Sequence, residues 1–360
     1  MSSSISSSEN VRSETLWRRF LAVLLLGVGL PLGIAYLFVV LVDPWGMLPL
    51  HLPMTRVPIS TNARYSFPRL ATDAKFDAVI IGTSTSRLLR PAVLDALLGA
   101  RFANLAMNAA TAWEQERLLL LFARSHPHAH ALILGLDASW CLAGPGSPRL
   151  TGRPFPAWMY GGTRWRGYGQ MLSLYAVQEA ANQASAALGL KRRHYGVDGY
   201  TNFLPPDAAY DAARVEAIFR SWGHVDETPA GAAPVVLPYV AGLPALLARL
   251  PPDAVKLLYF PPITDETMGV AGSRTRASWD ACKRLAVAAA ERTPDSVVLD
   301  FAQPDAITLS HRNFWDPLHY RIGIANRVMR DMAASLGNPH ASGTHASGPE
   351  FRILAWNRHS

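Results

Sequence analysis

Hydrophobic positions fall into three regimes along the chain. From Phe20 to Val42 the sequence "FLAVLLLGVGLPLGIAYLFVVLV" holds twenty-three residues without a charge. At about 1.5 Å per residue such a helix crosses a hydrocarbon core of roughly 30 Å. Pro31 in its middle is tolerated in lipid. The run exceeds the apolar core of a secretory signal, and "VDPWGMLPL" after it lacks a small-residue cleavage site, so an uncleaved anchor is expected. Arg12, Arg18 and Arg19 precede it. Positive charge on that flank keeps residues 1–19 cytoplasmic and sends the remainder outside.

The second regime, beyond a proline-rich lead-in read as a stalk over 43–75, alternates short apolar runs with helical periodicity. "DAVIIG" (77–82), "RFANLAMNAAT" (101–111), "HALILGLDAS" (130–139), "DAVKLLYFPP" (253–262) and "DSVVLDFAQP" (295–304) each open on a short apolar run that predicts a buried strand. Between and after them, "RPAVLDALLG", "AWEQERLLLLFARSHP", "RASWDACKRLAVAAAER" and "RIGIANRVMRDMAASLG" predict helices. That alternation predicts an α/β domain over 76–336, with a mostly parallel sheet covered by helices. The third regime breaks the pattern. Residues 141–230 are rich in Gly, Pro and aromatics, with one helix expected near 167–189, and read as a large insertion or cap. Residues 337–360 are small and polar and are expected to be loosely ordered.

Composition changes this picture little. The 360 residues carry a formal charge of +7 with a pI near 9.6, yet no Lys/Arg block interleaved with aromatics marks a nucleic-acid surface. The charge fits a life beside acidic lipid or polymer. Cys141 and Cys282 are too few for a disulfide framework; one pair in an oxidising compartment and two buried thiols both remain open.

Candidate chemistry gathers at the ends of the predicted strands. Ser84 stands two residues past Gly82, where a strand should turn into a helix and free backbone N–H groups could meet an anion. Ser86 takes the place of the second glycine in a G-x-S-x-G elbow, so that signature is absent. Far downstream, "NFWDPLHYR" offers His319 as a base for the hydroxyl and Asp316, three residues earlier, to hold the other ring nitrogen. A weaker metal alternative uses "HPHAH" (His126, His128, His130) with Asp137, although Pro127 argues for a loop there.

The set "IGTSTS", "NLAMNAAT", "LGLDAS" and "DPLHY" resembles the SGNH, or GDSL-like, hydrolase superfamily. The anchor and middle insertion make the chain most similar to membrane-associated acyl-transfer proteins of bacterial envelopes, of the alginate O-acetylation and teichoic acid D-alanyl transfer types. The resemblance spans roughly residues 76 to 333 and implies a three-layer α/β/α domain. It implies Ser84 as nucleophile, His319 as general base and Asp316 as orienting acid. Ala109 occupies the place of a glycine whose N–H joins that of Ser84 in an oxyanion hole. Asp137 stands where the family carries an asparagine donor, and a carboxylate is the wrong charge beside an oxyanion. Either Asp137 anchors a loop, or Asn108 or a backbone N–H replaces the donor.

The implied activity is O-acyl, above all O-acetyl, transfer or ester hydrolysis on an envelope or exported polysaccharide, with no cofactor and no metal. A membrane partner exporting acyl groups is implied for transfer, since the exoplasmic side lacks acyl-CoA. Trp315, Tyr320 and the aromatics of "FPAWMYGGTRWRGYG" are candidate sugar-stacking faces. The alternative is a catalytically weak or inactive scaffold of the same fold in a polysaccharide-modification complex.

Overall fold

In the computed structural model the uncharged run lies within one helix, α1 (Ile5–Val42). Its part from Glu14 to Val42 is long and apolar enough to cross a membrane. The structure describes residues 5–50, 52–222, 227–231, 234–337, 347–348 and 350–357. Two compact units divide the chain: Met1–Ile59 with Gly162–Arg193, and Ser60–Gly161 with His194–Ser360.

In the first unit, α1 packs along a helix at Leu174–Ala187. A single helix was expected near 167–189; the chain instead makes a short turn of helix at Gly167–Gln170 and restarts after Ser173, whose hydroxyl caps the Ala176 N–H. Gln183 fastens the segment after α1, donating to the Pro44 and Val57 carbonyls and accepting from the Val57 N–H.

The second unit is α/β. Its sheet runs in the order β2-β1-β3-β4-β5-β7-β6, with β1 (Ala78–Ile81), β2 (Phe102–Asn104), β3 (Ala131–Gly135), β4 (Val255–Phe260) and β5 (Ser296–Asp300) parallel. All but one residue of these strands is buried, which is why they read as continuous apolar runs. The connections are α3 (Pro91–Leu98) and α4 (Ala112–Ser125), the long segment from Leu136 to Ala254, and the helix Arg274–Ala290. Helix signals worked as physics requires. Pro91 opens α3 and Gly99 closes it at φ +65°, while Thr111 and Glu114 form a reciprocal capping box on α4.

Two boundaries differ from expectation. Residues 60–75, read as stalk, belong to the second unit. There α2 (Ala63–Leu70) buries Arg64, Phe67 and Leu70, and Pro68 sits inside it. The tail expected to be loose contributes β7 (Phe351–Asn357), antiparallel to β5, and β6 (Ser347–Gly348) beside it. Ile353 and Ala355 face inward, and the Asn357 amide donates to the carbonyls of Ala290, Glu291 and Thr293. The rest of the tail lies outside the described residues.

Sheet order sets the position of the site. The chain steps from β1 to β2 on one side and returns to β3 on the other, so the crevice between the carboxyl ends of β1 and β3 lies at a reversal of strand order, where open sheets bind ligands. Ile81 pairs with Leu134, which sets Gly82 and Gly135 abreast at that rim.

Candidate active site

Ser84 follows β1 in a series of tight turns, not at a helix start. The Ser86 N–H donates to the Thr83 carbonyl, Arg87 to Ser84, and Leu89 to Ser86. Helix α3 begins only at Pro91, so the strand does not turn into a helix at the serine and that expectation is corrected. Two side chains fix the turn from beneath. Asn104 at the end of β2 donates to the carbonyls of Ser86 and Leu89. The Ser86 hydroxyl accepts from Tyr259 at 2.7 Å in the gap between Gly82 and Gly135. A β-carbon on Gly82 would stand 2.1 Å from that oxygen, and one on Gly135 2.3 Å. The Ser86 hydroxyl therefore leaves no room for a β-carbon at either position.

His319 arrives on a miniature hairpin. Phe314 and Tyr320 bridge antiparallel, and the Trp315 N–H donates to the His319 carbonyl at 2.8 Å, which leaves Asp316–Leu318 as the tip. Asp316 Oδ1 accepts the N–H groups of Leu318 and His319, both at 2.9 Å. Its Oδ2 lies 2.7 Å from His319 Nδ1. Across the ring, His319 Nε2 lies 2.7 Å from Ser84 Oγ. With the proton on Nδ1, Nε2 is left as acceptor for the serine hydroxyl. The Pro317 carbonyl accepts from the Thr264 N–H and the hydroxyls of Thr264 and Thr267, tying the tip to the loop after β4. Phe203 meets the histidine ring edge-on at 5.3 Å. The three side chains named from sequence thus stand in one hydrogen-bonded line.

Asp137, at the end of β3, is 5 % exposed and takes the anchoring role of its two alternatives. Its Oδ2 accepts from Thr83 and Thr85, the residues on either side of Ser84. Its Oδ1 accepts the Ser139 N–H and hydroxyl. Gln115 of α4 extends the network, donating to Ser139 Oγ and accepting from Trp140 Nε1. Hydroxyl and amide donors spread over both oxygens are what a buried carboxylate requires. The carboxylate clamps the serine turn and donates nothing toward an oxyanion.

Ala109 lies in left-handed backbone at φ +49°, the conformation a glycine would take without strain. Arg64 holds its loop, with guanidinium nitrogens 3.4 Å from the Asn108 and Ala109 carbonyls. That side chain is fully buried in a two-pronged pair with Glu114. The N–H groups of Ser84 and Ala109 have no protein acceptor among the described residues. Both residues line a cavity of about 510 Å³, whereas Asn108 does not, so of the two donor candidates Ala109 is at the site.

Leu142, Ile263, Leu318 and Tyr239 give the cavity largely apolar walls around Ser84 and His319. A second recess of about 480 Å³ shares Ser147 and Tyr239 with it and adds Trp113, Arg117 and Arg149. Trp315 and Tyr320, expected as stacking faces, are absent from both linings. Tyr320 is fully buried, donating to the Thr85 carbonyl at 2.5 Å, and Trp315 packs edge-on against Tyr210. Burial raises the Tyr259 and Tyr320 hydroxyls well above their ordinary pKa, so both stay protonated as donors beneath the turn. Phe155 and Tyr160 of the aromatic stretch stack on each other. The histidine cluster does not assemble with Asp137: both ring nitrogens of His126 meet carbonyls, those of Phe122 and Asp73.

In comparison with known proteins, the chain matches no family model and no curated protein.

Sequence reasoning missed Arg64, Ser86 and Gln115. The first had no clear signal, since α2 also carries Ser66 and Arg69. The other two became legible only once the strand ends were brought together.

Proposed function

We propose that this chain is a membrane-tethered serine O-acyl transferase or esterase of the SGNH hydrolase type, acting on an envelope or exported polysaccharide. In this reading the second unit is a three-layer SGNH-like domain, and the insertion of about 141–230 passes through the first unit over Gly162–Arg193. The observation that carries it is the line Asp316–His319–Ser84, two 2.7 Å contacts on a single imidazole at the rim of a cavity.

His319 Nε2 takes the Ser84 proton as Oγ adds to the acyl carbonyl carbon, and Asp316 stabilises the imidazolium through Nδ1–H. The carbonyl oxygen becomes an oxyanion, met by the N–H groups of Ser84 and Ala109. The tetrahedral species then collapses and breaks the ester C–O bond, and the leaving alkoxide receives the proton from Nε2. An acceptor hydroxyl or water adds to the acyl-serine in the reverse sense, losing its proton to His319 and releasing Ser84.

The apolar wall around Ser84 supports exclusion of water in favour of an acceptor. The adjoining recess with Trp113, Tyr239, Arg117 and Arg149 supports binding of a sugar chain there. A Cys141–Cys282 disulfide supports an oxidising compartment, and Arg12, Arg18 and Arg19 before the uncharged run of α1 support an exoplasmic second unit. Transfer then calls for a membrane partner that delivers acyl groups.

The scaffold alternative drew on Asp137; the hydrogen bonds of that carboxylate to Thr83, Thr85 and Ser139 support a structural task for it beside the serine turn. A fluorophosphonate probe tests the proposal without knowledge of the substrate. The full chain in detergent should be labelled, and Ser84→Ala should abolish the signal while His319→Ala reduces it at least a hundredfold. Equal labelling of the chain and its Ser84→Ala variant overturns the proposal.

A further inference from the structure

The first unit carries an exposed surface that the proposed chemistry does not use. Between Gly167 and Leu190 the sequence holds one charged residue, Glu179, and its side chain is buried. On the helix Leu174–Ala187 the inward positions are Ala176, Glu179, Ala180 and Gln183. The outward side carries Leu174, Val177 and Ala181 with one polar residue, Gln178, among them, and Leu188 continues it past the helix end. Leu174 is 89 % exposed and Leu188 74 %, with Leu172 and Leu190 similarly open. A water-facing helix side normally carries charge, and a contiguous apolar patch on a monomer marks something that covers it.

Continuity with α1 identifies the cover. About 20 residues cross a hydrocarbon core, so a span starting at Phe20 ends near Val39. The Tyr36 hydroxyl donates to the Tyr168 carbonyl at 3.3 Å, and Trp45 beyond the helix lies against Tyr175. Tyr36 lies roughly 9 Å below Val42 along the helix. The segment at Tyr168 is thereby held at the depth of the outer acyl boundary. Tyr36, Trp45, Trp165, Tyr168 and Tyr175 gather at this level, as aromatic side chains do at membrane interfaces. Exposed cations bracket the uncharged stretch, Arg166 before it and Arg192 and Arg193 after it.

We propose that residues 167–190 form a second membrane element, its helix Leu174–Ala187 lying in the outer leaflet interface of an anionic phospholipid bilayer, with Leu174 and Leu188 in the acyl region and Arg192 and Arg193 at the headgroups. This inference rests on the reading of α1 as a span. Apolar burial and headgroup attraction act together in such helices. The consequence is orientational: one span alone leaves its attached unit free to swivel, and a second in-plane contact fixes the first unit against the bilayer.

The test uses the full chain in vesicles of phosphatidylglycerol and phosphatidylethanolamine. Single substitutions Leu174→Cys, Leu188→Cys, Leu30→Cys and Leu309→Cys are labelled with an environment-sensitive fluorophore, the native cysteines being tied up in their disulfide. Leu30 lies in α1 and Leu309 in the second unit, and the two are equally exposed, 62 % and 63 %. Spin-labelled acyl chains should quench positions 174 and 188 nearly as strongly as 30 and at least twofold more than 309. In these vesicles Arg192→Glu with Arg193→Glu should weaken quenching at 188, and in phosphatidylcholine the same pair should change nothing. Quenching at 30 with 174 and 188 no different from 309 overturns the proposal. So does protection of 174 and 188 from aqueous iodide without quenching by lipid, the signature of a second copy covering the face. Loss of quenching at 30 instead overturns the span itself.

Discussion

The packing beneath Ser84 yields a prediction with an internal control. Gly82 and Gly135 flank the same Ser86 hydroxyl, but a β-carbon on each meets different atoms. On Gly135 it would stand 2.3 Å from Ser86 Oγ and 3.2 Å from a Tyr259 ring carbon. On Gly82 it would stand 2.1 Å from Oγ and also 2.6 Å from the Ser86 β-carbon. Each single glycine-to-alanine change overpacks the strand ends and should cost about 1–3 kcal/mol or more. Ser86→Ala alone removes the acceptor of the buried Tyr259 hydroxyl, at about 1–3 kcal/mol. Combining Ser86→Ala with Gly135→Ala removes the offending oxygen and leaves the tyrosine ring to give by a few tenths of an ångström. That pair should be less destabilised than the sum of its parts by about 1–2 kcal/mol. With Gly82→Ala the clash with the β-carbon at 86 persists, so relief should be much smaller. Urea unfolding of the detergent-solubilised chain, followed by tryptophan fluorescence at constant m, reads all five variants. Equal relief for both glycines, or coupling below about 0.5 kcal/mol at Gly135, would refute the role assigned to the Ser86 hydroxyl.

Three further outcomes are expected. Reducing the Cys141–Cys282 bond, which closes a span of 141 residues, should cost about 2–5 kcal/mol and lower Tm by at least about 5 °C, provided thiol labelling confirms reduction; an unchanged Tm would deny it a stabilising role. Ala109→Gly should release left-handed strain of about 1 kcal/mol and retain probe labelling, whereas Ala109→Val should destabilise, and the reverse order would contradict the backbone assignment. Burial raises the pKa of Tyr160, Tyr259 and Tyr320 above the unfolded value of about 10. Unfolded tyrosines therefore lose protons first, and stability is complete below about pH 10 and falls as pH rises beyond it; tyrosinate absorbance from these three should appear only together with unfolding.

Much of the sheet was legible because its strands are buried on both faces. "AVII" and "ALILG" are apolar at every position, and no periodicity has to be inferred. The reactive line was legible for a related reason. Asp316 and His319 come from one turn, where local geometry alone brings acid to base, and Ser84 follows a strand whose carboxyl end topology directs to the same rim. β7 was lost because small polar residues before it dominate the composition, although "FRILAWN" carries the inward Ile353 and Ala355 at a two-residue spacing. Tyr320 was misread because a tyrosine next to a catalytic candidate looks the same whether its ring faces substrate or core.

Asp137 shows where a single sequence stops being informative about charge. As a lone residue in place of an amide donor it looks like damage to an oxyanion hole. Its consequence depends on Ser139, two residues on, and on Thr83 and Thr85, whose hydroxyls reach it only after β1 and β3 pair in register. A carboxylate accepts at both oxygens, and an amide accepts at only one; with four donors converging, the acid satisfies every one of them without reversing a hydroxyl. Because two of those donors bracket Ser84, the carboxylate stiffens the turn that carries the serine hydroxyl. Across the same cavity Ala109 keeps its left-handed backbone, its carbonyl held by the buried Arg64.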